Sequence, residues 1–294
     1  MNEKFKIVGI LPQNENVVKK IPAWYEGKPI VSFGIFGLII LGCLFSDFIT
    51  TKNPGYVDLA NYNVAPNAEY FFGTDTMGRD IFSMIWHGGR ISIFVGIAAT
   101  ILSTFIAVVY GSISGMASEW LDSILMRVTE ILLSIPNLLL IILIQSTLGK
   151  PTILSIAFVI GVTNWLAISK IIRTEVRQLR NSDYIVAAKC MGGNFLYIVR
   201  KHLLPNFISS IMFMVVMNVR GAIVAESTLS FMGIGLPLEI ISWGSMLSLS
   251  EKALLTDAWW IILIPGIFLV ALLLALTNIG NFLRKEVNRR ENNL

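Results

Sequence analysis

Charged residues are scarce in this chain of 294 residues: Asp, Glu, Lys and Arg together make up 14% of it. A soluble domain ordinarily carries about 25%. Apolar residues account for 54%, and the mean hydropathy is +0.70. A soluble protein of this length cannot keep so many apolar side chains away from water. The composition therefore excludes a soluble enzyme, a disordered chain and a disulfide scaffold, and it predicts an all-α polytopic membrane protein.

Cysteine and histidine are nearly absent, with two of each. Cys43 and Cys190 both lie in apolar or cytoplasmic-looking sequence, so we predict no disulfide between them. His87 and His202 are far apart, and neither has a second ligand at metal-binding spacing. We therefore predict that this chain builds no metal site of its own.

Catalytic motifs are also missing. The chain contains no G-x-x-x-x-G-K-[ST], since its one Gly-Lys pair, Gly149-Lys150, precedes Pro151 and lacks the upstream glycine. It contains no G-x-S-x-G and no H-E-x-x-H either. These absences predict a non-enzymatic chain that does not hydrolyse ATP itself. The net charge of +4 does not indicate nucleic-acid binding, because the basic residues are interleaved with long apolar runs.

Long apolar runs are what the sequence does contain. A membrane-spanning helix needs about 20 such residues, and six runs qualify. We predict spans at Ile30–Ile49, Ile91–Met116, Ile131–Leu148, Ile153–Ile172, Phe207–Phe231 and Ala258–Phe282. Pro136 and Pro265 fall within the third and sixth of these, where each can kink the helix. Gly111 and Gly115 predict close helix packing in the second.

The basic residues predict the orientation. With the N-terminus inside, the cytoplasmic segments hold 17 of the 23 Lys and Arg residues, the outside segments hold 5, and Arg220 lies within a span. This asymmetry predicts that both termini are cytoplasmic. The resulting organisation has a cytoplasmic segment at 1–29, a membrane domain at 30–283 and a cytoplasmic tail at 284–294. An outside loop at 50–90 and a cytoplasmic loop at 173–206 interrupt the membrane domain.

The cytoplasmic loop is the most informative segment. Ser182 or Asp183 can cap a helix start, and Gly192-Gly193 can end that helix in a left-handed turn. Asn194 can then cap a second short helix. The pattern predicts a helix–turn–helix, and the alternative is an amphipathic linker lying on the lipid surface.

This loop resembles the EAA loop of ABC-importer permeases. The pattern is Ala187-Ala188, three residues, Gly192, nine residues, then His202-Leu203-Leu204-Pro205. Val186 replaces the family's usual glutamate, and His202 replaces its usual isoleucine. Tyr184 before the alanines is typical of the dipeptide/oligopeptide/nickel branch. The resemblance implies that the loop docks on an ATP-binding subunit, and the residues it assigns to this coupling are Asp183, Tyr184, Ala187, Ala188, Gly192, His202, Leu204 and Pro205.

Other segments are similar to the same branch. One lies before the second predicted span and is expected to form tight turns and a polar network at the outer interface; its members are Gly73, Asp75, Gly78, Arg79, Asp80 and Arg90. Arg127 and Glu130 resemble the start of the family's third span and can pair on one helix face. The segment 226–235 and Trp243-Gly244 resemble another family signature. Together these motifs imply a second, "C"-type subunit with the type I (MetI-like) fold.

The resemblance also implies partners and a function. The partners are a sister permease, two ATP-binding subunits that hold ATP and Mg, an extracellular solute-binding protein and the lipid bilayer of a bacterial plasma membrane. The implied function is ATP-driven uptake of peptides. Two alternatives stay open. One is import of nickel or a metal–chelator complex by the same machinery, and the other is the different class of a stand-alone secondary transporter or channel.

A second candidate site lies within the fifth predicted span, where Asn218, Glu226, Ser227 and Ser230 supply polar groups. We predict that Glu226 faces the translocation path or stabilises its gate, because a charge in the membrane is costly without a partner. The alternative is a structural contact with a neighbouring helix, involving Arg220. Met212, Met214 and Met217 are predicted to pack rather than to bind metal.

Overall fold

A computed structural model of the chain describes residues 29–249, 253 and 256–291. Residues 1–28 and 292–294 of the predicted terminal segments lie outside this part, as does Lys252 of the predicted outside segments. The described residues are helical and contain no β-strand; one isolated antiparallel bridge joins Thr74 and Asp80. The helices are α1 Ile30–Leu44, α2 Ser46–Ile49, α3 Ile81–Met116, α4 Glu119–Ser134, α5 Asn137–Leu148, α6 Ile153–Thr163, α7 Leu166–Leu179, α8 Asp183–Cys190, α9 Phe195–Ile198, α10 Leu204–Phe231, α11 Trp243–Leu247 and α12 Trp260–Glu291.

Three helical stretches in the described residues are long and apolar enough to cross a membrane: α3, Phe195–Phe231 and the α12 residues Trp260–Val287. Two bent pairs, α4 with α5 and α6 with α7, raise the number to five if each pair is one span. The sequence predicted one unbroken first span of 20 residues, but α1 ends at Leu44 after 15 residues and α2 follows separately. The all-helical membrane class is thus confirmed, whereas the predicted number of six spans is not.

Both bent pairs break at identifiable residues. α4 and α5 meet at 89° where Ile135 is extended and Pro136 follows, because a residue before proline avoids helical geometry. α6 and α7 meet at 44° after Thr163. The two breaks are joined, since the Asn137 amide donates a 2.8 Å hydrogen bond to Asn164 Oδ1. Pro265, by contrast, lies inside the continuous helix α12.

Helix α3 forms the centre of the bundle and packs against α6, α7 and α10. Glycines permit these close approaches. A Cβ added at Gly111 would lie 2.7 Å from the Ser169 carbonyl oxygen, and one at Gly115 would lie 2.6 Å from Val176 Cγ1. The predicted close packing of both glycines is confirmed, and it holds α7 against the C-terminal half of α3.

Alanine at Gly111 is expected to destabilise the protein by about 1–3 kcal/mol, because the added Cβ overlaps a backbone oxygen that cannot move freely. The matched control is Gly37→Ala in α1, where nothing lies within 4 Å of the added atom; helix propensity there favours alanine by up to about 1 kcal/mol. Thermal unfolding of the two purified variants measures the difference. Equal melting temperatures would contradict the packing.

Candidate functional sites

The loop at 173–206, which the sequence predicts to be cytoplasmic, folds as a helix–turn–helix, as predicted. α8 begins at Asp183, whose carboxylate in the first turn is favourable beside the helix N-terminus. Ser182 occupies the cap position, but its hydroxyl donates to the Leu179 carbonyl at 2.7 Å instead of capping α8. Gly192 has φ +83°, the left-handed turn expected of a glycine. Asn194 Oδ1 accepts from the Tyr197 backbone N–H at 2.8 Å and caps α9.

One face of this loop is buried against the helical bundle. Ile185 is fully buried, and it belongs to a cluster with Ile172 and Val176 of α7 and with Phe207 of α10. The opposite face is open to the surroundings, and Met191 is 87% exposed. The loop is therefore a packed unit of the protein that presents apolar side chains outward.

The exposed face contains a cleft of about 520 Å³. Its walls include the rings of Tyr184, Tyr197 and His202, with the His202 centroid 6.1 Å from that of Tyr184 and 5.6 Å from that of Tyr197. The lining is completed by Ala187, Ala188, Met191, Gly192, Gly193 and Asn194. Because alanine and glycine have small side chains or none, they leave open the space between the three rings. Such a cleft can receive an apolar or aromatic side chain from a partner.

Five of the predicted coupling residues therefore meet at the cleft, and three lie outside its lining. Asp183 is exposed at the start of α8. Leu204 and Pro205 begin α10, directly after a π-helical segment over Val199–Leu203. This segment joins the loop to α10 as one continuous helical stretch, so a movement of the loop has a direct route into the membrane domain.

A buried acid that the sequence analysis missed fastens the loop to the rest of the bundle. Asp122 of α4 is 2% exposed and accepts two hydrogen bonds from Arg173, forming a bidentate ion pair, while Arg177 Nη2 lies 3.0 Å from it. The Ser114 hydroxyl also donates to Asp122. Arg180 donates to the Gly115 carbonyl at 3.3 Å. The helix that leads into α8 is thus tied to the corner between α3 and α4.

The outer signature splits into separate contacts. Gly73 and Gly78 have φ of +74° and +73°, which confirms the predicted tight turns. Arg79 Nε donates to Asp75 at 2.7 Å within a buried ion pair. Asp80 caps α3 by accepting from the Ser83 N–H at 2.9 Å. The Arg79–Asp75 ion pair and the Asp80 cap therefore help to fix this signature next to the start of α3.

Arg90 does not join this network, so the prediction that included it is wrong. Its guanidinium bonds Asp47 Oδ2 at 2.9 Å and donates to the carbonyls of Cys43 and Leu44 at 3.1 Å. Arg90 cannot reach the outer turn because it satisfies the free carbonyls at the C-terminal end of α1.

Glu226 of α10 lies in a completely buried polar cluster. Its carboxylate accepts from four serine hydroxyls: Ser242 at 2.8 Å, Ser92 and Ser230 at 3.0 Å, and Ser227 at 3.4 Å. Ser92 belongs to α3, and Ser242 caps α11. The cluster therefore ties together α3, α10 and the segment before α11, a constellation that could not be predicted from sequence positions so far apart.

The other polar residues of α10 bond different neighbours. Asn218 donates to Ser103 of α3 at 2.6 Å, a bond across helices. Arg220 donates to the Thr277 hydroxyl at 3.3 Å and makes no ion pair with Glu226. The suggested contact between these two charges is therefore wrong, because Glu226 points toward α3 and α11 while Arg220 points toward α12.

The cysteines and the methionines of α10 lie in separate places within the part of the chain that the structure describes. Cys43 is buried and Cys190 is exposed, and both are free thiols, as predicted. Among the described residues, no group of three His, Cys, Asp or Glu side chains is placed to hold a metal ion. Met217 packs against Gly280, since a Cβ there would lie 2.7 Å from the methionine methyl group.

The fold and these sites define a polytopic helical membrane protein with a packed helix–turn–helix between two of its long helical segments. The chain belongs to the family described as "Binding-protein-dependent transport system inner membrane component", which matches residues 107–291. This membership confirms the predicted family of ABC-importer permeases, and it conflicts with the alternative of a transporter that works alone.

Curated relatives extend the similarity to most of the chain. It is 36% identical over 257 residues to the dipeptide transport system permease protein DppC of Bacillus subtilis (strain 168), covering 86% of this chain and 80% of that one. It is 36% identical over 259 residues to the oligopeptide transport system permease protein OppC of the same organism, covering 88% and 84%. A putative peptide permease protein of Brucella suis biovar 1 is 34% identical over 262 residues, covering 87% and 86%.

Proposed function

We propose that this chain forms half of the translocation pathway of an ABC importer for peptides and transmits ATP hydrolysis by separate subunits to that pathway. The observation that carries the proposal is the cleft of the cytoplasmic loop, open outward and continuous with α10. Peptides are the proposed substrate because the relatives are named as dipeptide, oligopeptide and peptide permeases. The chain itself performs no catalysis in this proposal.

The proposed topology has six spans and two cytoplasmic termini. The short helix α1 counts as the first span, and each bent pair counts as one. The bias of basic residues toward one side supports this orientation. Residues 30–283 then form the membrane domain, with the outside loop at 50–90, the coupling loop at 173–206 and cytoplasmic segments at 1–29 and 284–294.

The proposed transmission begins at α8. An ATP-binding subunit grips the loop around Ala187, Ala188 and Gly192, and its closure on ATP moves α8. Because Asp122 ties α7 to the corner between α3 and α4, the displacement reaches the broken helix pair α4 and α5. The continuous stretch through Val199–Leu203 carries it into α10 at the same time. These movements alternate access to the path between this chain and its sister.

The remaining proposed partners follow from the family. A sister permease supplies the other half of the path, two ATP-binding subunits bind ATP and Mg, and an extracellular solute-binding protein delivers the substrate. The outer loop, held by its buried Arg79–Asp75 pair, is the surface nearest that delivery. Glu226 and the serines that contact it stabilise the gate by fixing α11 to α10. The burial of these residues favours this role over direct contact with substrate.

The decisive experiment reconstitutes the permease pair, the ATP-binding subunits and the solute-binding protein in vesicles and measures uptake of a labelled peptide. We expect uptake that requires hydrolysable ATP and the binding protein, and that persists when ionophores collapse ion gradients. Uptake by the permeases alone, driven by an ion gradient, would contradict the proposal.

A further inference from the structure

The π-helical segment Val199–Leu203 changes which side chains share a face between the loop and α10. At its end the Leu204 N–H donates to the Val199 carbonyl, five positions earlier, whereas an α-helix joins residues four apart. Residues five apart point about 140° away from each other around an α-helix of 3.6 residues per turn. Because a π-turn closes on the fifth residue, it brings such residues nearly one above the other.

The surroundings of the side chains follow this five-residue spacing. Ile198 and Leu203 are both buried in the cluster that joins the loop to the bundle. Tyr197 and His202 both line the cleft. The exposed residues repeat at the same interval: Phe195 and Arg200, and Leu196 and Lys201. Burial in the core and exposure at the cleft are therefore satisfied together by the π-turn.

One wall of the cleft depends on this turn. The rings of Tyr197 and His202 meet edge to face, with centroids 5.6 Å apart and planes at 71°. If the segment continued as an α-helix with Tyr197 in place, the His202 ring would point about 140° away from it. Tyr184 on α8 would then lose the ring that it faces at 6.1 Å across the cleft.

Pro205 explains why the wider turn occurs here. Proline has no N–H, and in an α-helix its ring collides with the carbonyl of the residue four positions earlier, which is Lys201. A π-turn directly before the proline separates these two groups. The side-chain amide of the next residue, Asn206, donates to the His202 carbonyl at 2.6 Å. Pro205 and Asn206 thus hold the backbone of His202 from the α10 side.

We infer that Pro205 is a positioning residue for docking of the ATP-binding subunit, because it enforces the π-turn that places His202 opposite Tyr197. The inference rests on the proposed function and adds to it the residue that determines the shape of the cleft. Pro205 does not line the cleft, so its effect on docking passes through His202. Since the same turn leads into α10, the shape of the cleft and the register of α10 change together.

The test measures the dissociation constant between the ATP-binding subunits and the permease pair in lipid nanodiscs for Pro205→Ala, His202→Ala and the double variant. Alanine at 205 restores the N–H and favours an α-helical turn. We expect each single substitution to weaken binding roughly tenfold, as the loss of one aromatic contact at an interface does. The double variant should bind no more weakly than His202→Ala, because residues that act independently would instead give additive losses.

His202→Phe supplies a readout that a purely structural role of Pro205 would not move. Phenylalanine keeps a ring at this position, so this variant should bind the ATP-binding subunits more tightly than His202→Ala. That advantage should disappear when Pro205→Ala is added, because the ring then no longer faces the cleft. An advantage of the same size in both backgrounds would overturn the inference.

Pro265→Ala is the matched control, since Pro265 lies inside the continuous helix α12 and away from the cleft. It should leave the dissociation constant unchanged, and a loss equal to that of Pro205→Ala would overturn the inference. Normal binding by Pro205→Ala, or losses that add in the double variant, would also overturn it. If Pro205→Ala does not accumulate as folded protein, Asn206→Ala replaces it in the same cycle, and the same outcomes decide. Failure of the unmodified permease pair to bind the ATP-binding subunits would contradict the proposed function instead.

Discussion

Tryptophan at position 187 is expected to abolish ATP-driven uptake while leaving the chain folded and in the membrane. Ala187 is exposed on α8 and lines the cleft beside the rings of Tyr184 and Tyr197. An indole at this position fills the space that the partner must enter. An overpacked contact of this kind costs about 3 kcal/mol, which corresponds to roughly a hundredfold loss of affinity.

The buried face of α8 is untouched by this change, because Ile185 and Ala188 make its contacts with the bundle. The substitution therefore separates docking from folding. Membrane yield and thermal stability should stay normal, whereas the ATP-binding subunits should no longer co-purify. If they still co-purify and substrate still stimulates hydrolysis, the cleft is not the docking surface.

Gln178→Trp provides the control for adding an indole to the same loop. Gln178 is exposed on α7 and does not line the cleft. Uptake by this variant should remain near the unmodified level. A loss as large as that caused by Ala187→Trp would mean that added bulk anywhere on the surface of the 173–206 loop disturbs assembly, and the specific role of Ala187 would then be refuted.

The local geometry of the loop could be predicted from sequence because its determinants lie within a few residues of one another. Gly192 takes the left-handed turn that glycine permits, and Asn194 caps the helix that follows it. The proline rule likewise located the break at Pro136. It gave no information on the angle of 89° between α4 and α5, which depends on how each helix packs against the others.

Contacts between distant segments could not be predicted. Asp122 and Arg173 are 51 positions apart, and nothing in the spacing of the α7 arginines identifies the acid that they share. Ser92 reaches Glu226 across 134 positions, and its hydroxyl looks like any other small polar group in an apolar run. The end of α1 was also missed, because hydropathy continues through Phe45 to Ile49 while the helix stops at Leu44.

Replacing Glu226 with alanine is expected to prevent accumulation of the folded protein. The carboxylate is the shared acceptor of four buried hydroxyls, and it connects Ser92 of α3 with Ser242 at the start of α11. Each buried donor left without an acceptor costs about 1–3 kcal/mol, and the cavity adds a further cost. The total is comparable to the whole stability of a typical domain.

Glu226→Gln distinguishes support from a direct role in transport. The amide nearly keeps the size of the side chain, and serine hydroxyls can rotate to accept from its NH₂ group. If Glu226 acts by fixing α11 to α10, the glutamine variant should fold with a loss of about 1–2 kcal/mol and transport peptide at close to the unmodified rate. Normal stability combined with lost uptake would show that the carboxylate itself serves the path.

Glu239→Ala is the matched control, because Glu239 is an exposed acid on the segment that joins α10 to α11. Its removal should change neither yield nor uptake. The two acids differ in their surroundings. The Glu239 carboxylate is exposed, whereas the Glu226 carboxylate accepts hydrogen bonds from residues in three parts of the chain. Equal yields of Glu226→Ala and Glu239→Ala, measured as folded protein in the membrane, would contradict this account of the cluster.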